Sequence, residues 1–171
     1  MSKQQNPLVF LPSHIDEGAS TFEVEVKPEM VGLESYMFHT PIRCKLDFDR
    51  IGDRINLGVV VTAEIGVSCS KCGKPSRIEL KTSSGMTFLP REEDEEEDVS
   101  ATDLELYSEK LDIVPIVRDA FLLALPIAPL CRSDCKGLCP SCGADLNKGE
   151  CSCDKKQRAN PFEELKRLVD G

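Results

Sequence analysis

The sequence predicts an α+β protein in which an antiparallel β-sheet with one packed helix is followed by a Cys-rich segment and a short C-terminal helix. Three observations predict this order. Hydrophobic and polar residues alternate through residues 20–90, hydrophobic residues recur every three or four positions after residue 110, and all periodicity disappears across residues 131–156. Side chains of a strand point to opposite faces in turn, whereas residues three and four apart share one face of a helix.

The sheet is assigned to residues 20–90, after an N-terminal segment of residues 1–19. The apolar positions of its four alternating stretches are Phe22, Val24 and Val26; Ile42, Cys44, Leu46 and Phe48; Ile55, Leu57, Val59, Val61, Ala63, Ile65 and Val67; and Ile78, Leu80, Met86 and Phe88. Each stretch would bury one face and expose the other to solvent, which predicts an antiparallel sheet with one solvated side. Cys44 lies on the apolar face and is predicted to be a small core residue.

An acidic linker, residues 91–106, separates the sheet from the helix. It contains an uninterrupted run of acidic residues from Glu92 to Asp98, and repulsion among these charges favours a solvated, disordered segment. An acidic arm that mimics RNA or docks on a basic ribosomal protein is the alternative interpretation.

The helix is expected within residues 107–130. Its apolar stripe consists of Leu111, Val114, Val117, Phe121 and Leu125. Spacings of three and four are typical of a helix that packs one face on a core, here the buried face of the sheet. Asp112 is the expected N-cap, Pro115 fits the first turn and Pro126 ends the helix. Residues 157–171 are expected to form the C-terminal helix.

Charge and hydropathy limit the class of protein. The net charge is −9, with 21 Lys and Arg against 30 Asp and Glu, which argues against a general polyanion binder. No apolar run approaches the roughly 18 residues of a membrane span, and the N-terminus lacks the apolar segment of a signal peptide. A cytoplasmic protein without membrane contact is therefore expected. In that reducing compartment, nine cysteines indicate metal ligands or redox groups rather than disulfides.

The cysteines are the most informative residues. Cys69 and Cys72 form a Cys-x-x-Cys-Gly turn between two strand patterns, and Cys139 and Cys142 form another in the segment without periodicity. Such a turn points both sulfurs inward, and zinc prefers four thiolates in a tetrahedron, so each turn provides half of a structural site. The remaining cysteines outside the sheet are Cys131, Cys135, Cys151 and Cys153.

The spacing suggests how the eight ligands divide between two zinc ions. Cys139 and Cys142 with Cys151 and Cys153 make a local set of four, and Cys69 and Cys72 would be completed by Cys131 and Cys135 at the end of the helix. Mixed pairings around a single zinc, with the other thiols free, are the alternative. A redox role is less favoured, because redox Cys-x-x-Cys motifs lie at a helix N-terminus in a βαβ unit.

No catalytic apparatus is apparent. His14 and His39 have no cysteine or carboxylate partners at ligand spacing, and the sequence lacks a phosphate-binding Walker loop, a dinucleotide fingerprint and a nucleophile elbow. Zinc enclosed by four cysteines has no open position for a reacting water. The chain is therefore expected not to be an enzyme and to have no small-molecule substrate.

The segment from Pro129 to Asn147, PLCRSDCKGLCPSCGADLN, resembles the YceD family. Residues 117–126, the final Asn160-Pro161-Phe162 and the earlier Cys69–Cys72 turn are similar to that family too, so the resemblance covers roughly residues 20–171 in order. It implies a role in the processing or accumulation of large-subunit ribosomal RNA. Some members keep the earlier cysteine turn without the later one, which favours two separable zinc sites.

A ribosomal role requires contacts with RNA or with an early ribosomal protein, and basic residues near the cysteine turns are candidates. They are Lys71, Lys74 and Arg77 near the first turn, and Lys148, Lys155, Lys156 and Arg158 near the second. Such side chains contact phosphates, although ordinary surface lysines are an equal alternative. The leading hypothesis is a non-enzymatic ribosome-biogenesis factor that binds pre-ribosomal RNA or an early large-subunit protein. A zinc-dependent interaction adaptor and a thiol oxidoreductase are the alternatives.

Overall fold

The computed structural model describes residues 6–91 and 104–153. In chain order, the elements are β1 (Val9–Phe10), a 3₁₀ turn (Pro12–His14), β2 (Gly18–Val26), a second 3₁₀ turn (Pro28–Val31), β3 (Met37–Phe38), β4 (Ile42–Ile51), β5 (Arg54–Ser68), β6 (Pro75–Pro90), β7 (Leu104–Tyr107), β8 (Leu111–Asp112) and α1 (Val114–Ala124). The four stretches with alternating hydrophobicity are the long strands β2, β4, β5 and β6. The acidic run and the segment assigned to a C-terminal helix lie outside the described residues.

The main sheet has six strands in the order β2-β4-β5-β6-β7, and β3 also pairs with β5. All of these pairs are antiparallel except β6 with β7, where Thr87 faces Leu104 and Pro90 faces Tyr107 in a parallel register. The sheet is therefore mixed at this edge, a feature that the prediction of an antiparallel sheet did not include. Strands β1 and β8 form a separate antiparallel pair.

Aliphatic side chains of the central strands and a group of phenylalanines fill the core. Phe48 is buried on β4, and its ring contacts those of Phe10 and Phe22 at centroid distances of 5.2 and 5.7 Å. Cys44 is 2% exposed on the same strand face, which confirms the prediction that it is a core residue. Burial raises the pKa of its thiol to about 12, so it stays neutral and apolar.

Helix α1 packs against β5 and β6, as its apolar stripe predicted, but it is shorter than that stripe: Leu111 lies in β8 and Leu125 is extended. Phe121 is buried, and its ring lies 5.2 Å from that of Phe38. The N-cap is Ile113 rather than the expected Asp112, whose carboxylate instead accepts a hydrogen bond from the N–H of Val114 at 3.0 Å. The helix ends before Pro126 because the residue preceding a proline is driven out of the helical region, and Leu125 is extended.

The β5–β6 hairpin extends beyond the end of β4 and carries the first cysteine turn. Pairing of β4 with β5 stops at Thr62, whereas pairing of β5 with β6 continues to Ser68 and Pro75. The turn between them therefore lies at the far end of the hairpin. Among the residues described, no helix is long and apolar enough to cross a membrane.

Candidate metal centres

Four cysteines meet at the end of the β5–β6 hairpin, and we call them the first cysteine group. Cys69 and Cys72 come from the hairpin turn, and Cys131 and Cys135 come from the segment that follows α1. All four sulfurs lie within 4.8 Å of one another. The Cys72 and Cys131 sulfurs are 3.7 Å apart, and those of Cys69 and Cys135 are 3.8 Å apart. Three of the four side chains are buried.

The second cysteine group is local in sequence. Its members are Cys139, Cys142, Cys151 and Cys153, whose sulfurs also lie within 4.8 Å of one another. Cys139 is buried and Cys142 is exposed, so this group is closer to solvent than the first. The structure brings the eight cysteines together in the same two sets of four that their spacing suggested.

The two Cys-x-x-Cys-Gly turns have the same backbone hydrogen bonds. The N–H of Gly73 donates to the carbonyl of Cys69, and that of Gly143 donates to the carbonyl of Cys139, both at 2.8 Å. A second bond runs from the N–H of each leading cysteine to the carbonyl five residues later, at 2.9 and 2.8 Å. Both glycines have positive φ, +70° and +73°, a conformation that Gly adopts at no steric cost.

Backbone N–H groups favour negative charge on the leading cysteine of each turn. Backbone donors, that of Cys131 foremost, lower the pKa of the Cys69 thiol to about 6. In the second group, the N–H groups of Cys142 and Ser141 lower the pKa of Cys139 to about 6. Metals bind cysteine as thiolate, so N–H groups that stabilise the thiolate also favour metal binding.

The geometry of the first cysteine group fits a tetrahedral metal site. With metal–sulfur bonds of about 2.3 Å, the sulfurs of a tetrathiolate zinc site are about 3.8 Å apart. The sulfur pairs Cys72–Cys131 and Cys69–Cys135, at 3.7 and 3.8 Å, match this separation, which is far longer than a disulfide bond of about 2.05 Å. The second group has the same donors within the same span. Each group can therefore hold a thiophilic metal ion.

The first cysteine turn packs against the segment after α1 that leads into the second group. The N–H and the hydroxyl of Ser70 both donate to the carbonyl of Pro129, at 2.8 and 2.9 Å. The carbonyl of Lys71 accepts the N–H of Leu138 at 3.1 Å. The fit is close, because a Cβ atom added to the neighbouring Gly137 would lie 2.9 Å from that same carbonyl oxygen.

Asp145 and Asn147 link the two groups, and sequence reasoning assigned neither of them a role. Asp145 forms an ion pair with Lys74 at 2.7 Å. The amide of Asn147 donates to the sulfur of Cys135 at 3.6 Å, and its oxygen accepts the backbone N–H of Lys136 at 2.9 Å. Their only sequence signal is their place at the end of the motif that resembles the YceD family, since no spacing rule for metal ligands includes them.

The basic residues proposed as contacts differ in their surroundings. Lys74 pairs with Asp145, and Arg77 lies 3.6 Å from a carboxylate oxygen of Glu64. Lys71 and Lys148 are exposed, and neither has a carboxylate within 4.0 Å among the described residues. Lys155, Lys156 and Arg158 lie outside the described residues.

Known proteins with similar sequences point to one family. The chloroplastic large ribosomal RNA subunit accumulation protein YCED homolog 1 of Arabidopsis thaliana is 27% identical over 167 residues, which cover 80% of this chain and 51% of that protein. Its counterpart in Zea mays is 24% identical over 143 residues, covering 67% and 49%. An uncharacterized protein of Mycobacterium tuberculosis is 29% identical over 124 residues, covering 70% and 59%. The chain thus spans about half the length of these relatives.

No solved structure matches the chain. The family model described as large ribosomal RNA subunit accumulation protein YceD matches residues 57–169. This match begins in β5 and includes α1 and all eight clustered cysteines. With two thirds of its length matched, the chain belongs to the YceD family.

Proposed function

We propose that the chain is a non-enzymatic ribosome-biogenesis factor that supports the processing or accumulation of large-subunit ribosomal RNA. Its membership of a family described by large ribosomal RNA subunit accumulation carries this proposal. The chain would act in the cytoplasm, by binding pre-ribosomal RNA or an early large-subunit protein.

Zinc is the metal that suits both cysteine groups, and its role would be structural. Zinc prefers four-coordinate thiolate sites, and a site closed by four cysteines leaves no position for a substrate or a reacting water. The absence of a periodic hydrophobic pattern in residues 131–153 supports this role, since a segment that cannot build a core takes its folding free energy from the metal. The function proposed is therefore binding and not catalysis.

Sedimentation tests the ribosomal role. The tagged protein should comigrate with large-subunit precursors through a sucrose gradient, because a factor that binds them remains attached during sedimentation. Its presence at the top of the gradient alone, under low-salt conditions, would contradict the proposal.

A charge-reversed variant tests which surface makes the contact. Replacing Lys71 and Lys148 by Glu should leave the zinc content unchanged, since their side chains are exposed and do not belong to the ligand set. Association with precursors should weaken, and its salt dependence should become shallower because fewer counterions are released. Lys27→Glu with Lys110→Glu makes the same charge change at exposed positions outside both cysteine groups and is the matched control.

Basic residues beyond residue 153 need a separate variant. Reversing Lys155, Lys156 and Arg158 to Glu should also weaken association while zinc is retained, because none of them is a ligand. Wild-type association and salt slope in both charge-reversed proteins would exclude phosphate contacts by these residues.

A zinc-dependent protein-interaction adaptor is the second candidate. The net charge of −9 favours it. The ion pairs of Lys74 and Arg77 favour it too, because these two candidate RNA contacts are already paired with carboxylates of the same chain. Association with precursors that persists after RNase treatment, through one ribosomal protein, would favour the adaptor. Thiol oxidoreductase activity is a weaker candidate, because a disulfide within a group would remove two metal ligands.

A further inference from the structure

We infer that the two cysteine groups are energetically coupled through Asn147, so that metal in one group raises the metal affinity of the other. This inference rests on the part of the proposed function that assigns metal to both groups. It goes beyond that function because it makes the groups one cooperative unit instead of two independent structural sites.

Asn147 contacts both a ligand sulfur of the first cysteine group and the residues that follow two of its cysteines. Its side-chain N–H donates to the sulfur of Cys135 at 3.6 Å, and hydrogen bonds to a thiolate ligand stabilise the charge that a metal requires. Its side-chain oxygen accepts the backbone N–H of Lys136 and a guanidinium N–H of Arg132, both at 2.9 Å. Arg132 directly follows Cys131 and Lys136 directly follows Cys135, so Asn147 also holds both ends of the loop that joins these two cysteines.

The loop that carries Asn147 belongs to the second cysteine group. Residues 143–150 join Cys142 to Cys151, so a metal bound by both of these sulfurs fixes the positions of both ends of the loop. Within it, Asp145 accepts hydrogen bonds from the backbone N–H and the side-chain amide of Asn147, at 3.0 and 2.9 Å. The amide is thus oriented by a loop whose ends the second group closes, and it points at a ligand of the first.

The same loop reaches the hairpin turn directly. Asp145 pairs with Lys74 at 2.7 Å, and the N–H of Leu146 donates to the carbonyl of Gly137 at 3.0 Å. Emptying the second group would release these contacts together with those of Asn147. Because coupling between binding equilibria is reciprocal, emptying the first group should weaken the second by the same factor.

A double-mutant cycle on the full chain tests the coupling. The zinc affinity of the first group is measured by competition with a chromophoric chelator, with the second group intact or removed by Cys142→Ser and Cys151→Ser. Each protein is prepared with and without Asn147→Ala. Removing the second group should lower the affinity of the first by about fivefold or more, the lower end of typical couplings. In the Asn147→Ala background the same removal should lower the affinity by a clearly smaller factor, because only the contacts of Asp145 and Leu146 then link the two groups. An equal loss in both backgrounds, or none in either, would overturn the inference.

A second measurement keeps all eight ligands and does not depend on the folding of the serine variants. Asn147→Asp retains an acceptor for Lys136 but places a carboxylate oxygen against the Cys135 sulfur. Zinc release from the first group should therefore be faster than in Asn147→Ala, and both should be faster than wild type. Asn56→Ala removes an Asn whose side-chain bonds lie within the sheet and is the matched control. Release at the wild-type rate from both Asn147 variants would refute the role of Asn147.

The outcomes separate this inference from the proposed function. Wild-type protein that binds no zinc would contradict the structural role of zinc itself. Two zinc ions that bind and leave independently would contradict only the coupling.

Discussion

Removing the first cysteine group should destabilise the fold more than removing the second, because the first joins distant parts of the chain. Cys72 and Cys131 are 59 residues apart, whereas Cys142 and Cys151 are 9 apart (151 − 142). In the chain-entropy treatment of a cross-link, closing these loops stabilises the fold by roughly 4 and roughly 2.5 kcal/mol. The expected difference between the two removals is therefore roughly 1.5 kcal/mol.

Urea unfolding at equal zinc concentration measures this difference. Cys72→Ser with Cys131→Ser is compared with Cys142→Ser and Cys151→Ser, so that each protein loses two ligands of one group. The free energy of unfolding, followed by circular dichroism of the sheet, should be lower for the first pair. In excess chelator the difference should largely vanish, because no metal remains to close either loop. Equal stabilities with zinc present, or the reverse order, would refute the loop-closure reasoning.

Three further predictions address metal content and packing. Purified protein should contain close to two zinc ions per chain by elemental analysis, and one ion would contradict two separate centres. Cys44→Ala should lower the free energy of unfolding by about 1 kcal/mol through lost packing in the core, with an unchanged zinc content. Gly137→Ala should reduce thermal stability more than Gly143→Ala: both have positive φ, but only the Cβ at 137 would lie 2.9 Å from a backbone oxygen, that of Lys71. A larger loss for Gly143→Ala would contradict the close docking of the hairpin turn.

The long strands were predictable because one periodic signal determines both their conformation and their buried face. In β5, apolar residues at odd positions from Ile55 to Ile65 are all buried. Strands β1, β3 and β8 have two residues each and β7 has four, which is too short for alternation to be recognised. The parallel pairing of β7 with β6 depends on where the intervening chain crosses, and periodicity carries no information about that.

The cysteine groups were predictable in part, and for different reasons. The second group follows from spacing alone, since its four members lie within residues 139–153. The first group combines residues 66 apart, such as Cys69 and Cys135. No local spacing joins them, so the sequence suggests this group only by pairing the first turn with the cysteines that the second group does not use. Asn147 was not predictable, because an amide donor to a ligand sulfur has no characteristic spacing from that ligand.

The distance along the chain between the two halves of the first group also sets a time interval during synthesis. At about 5–20 residues per second, the 59 residues from Cys72 to Cys131 take roughly 3–12 s to translate. During that interval the thiols of Cys69 and Cys72 lack their partners Cys131 and Cys135. They can then react with oxidants or share a metal ion with another chain. The second group, which spans 14 residues (153 − 139), is completed in roughly 1–3 s. Zinc supply during translation therefore matters chiefly for the hairpin.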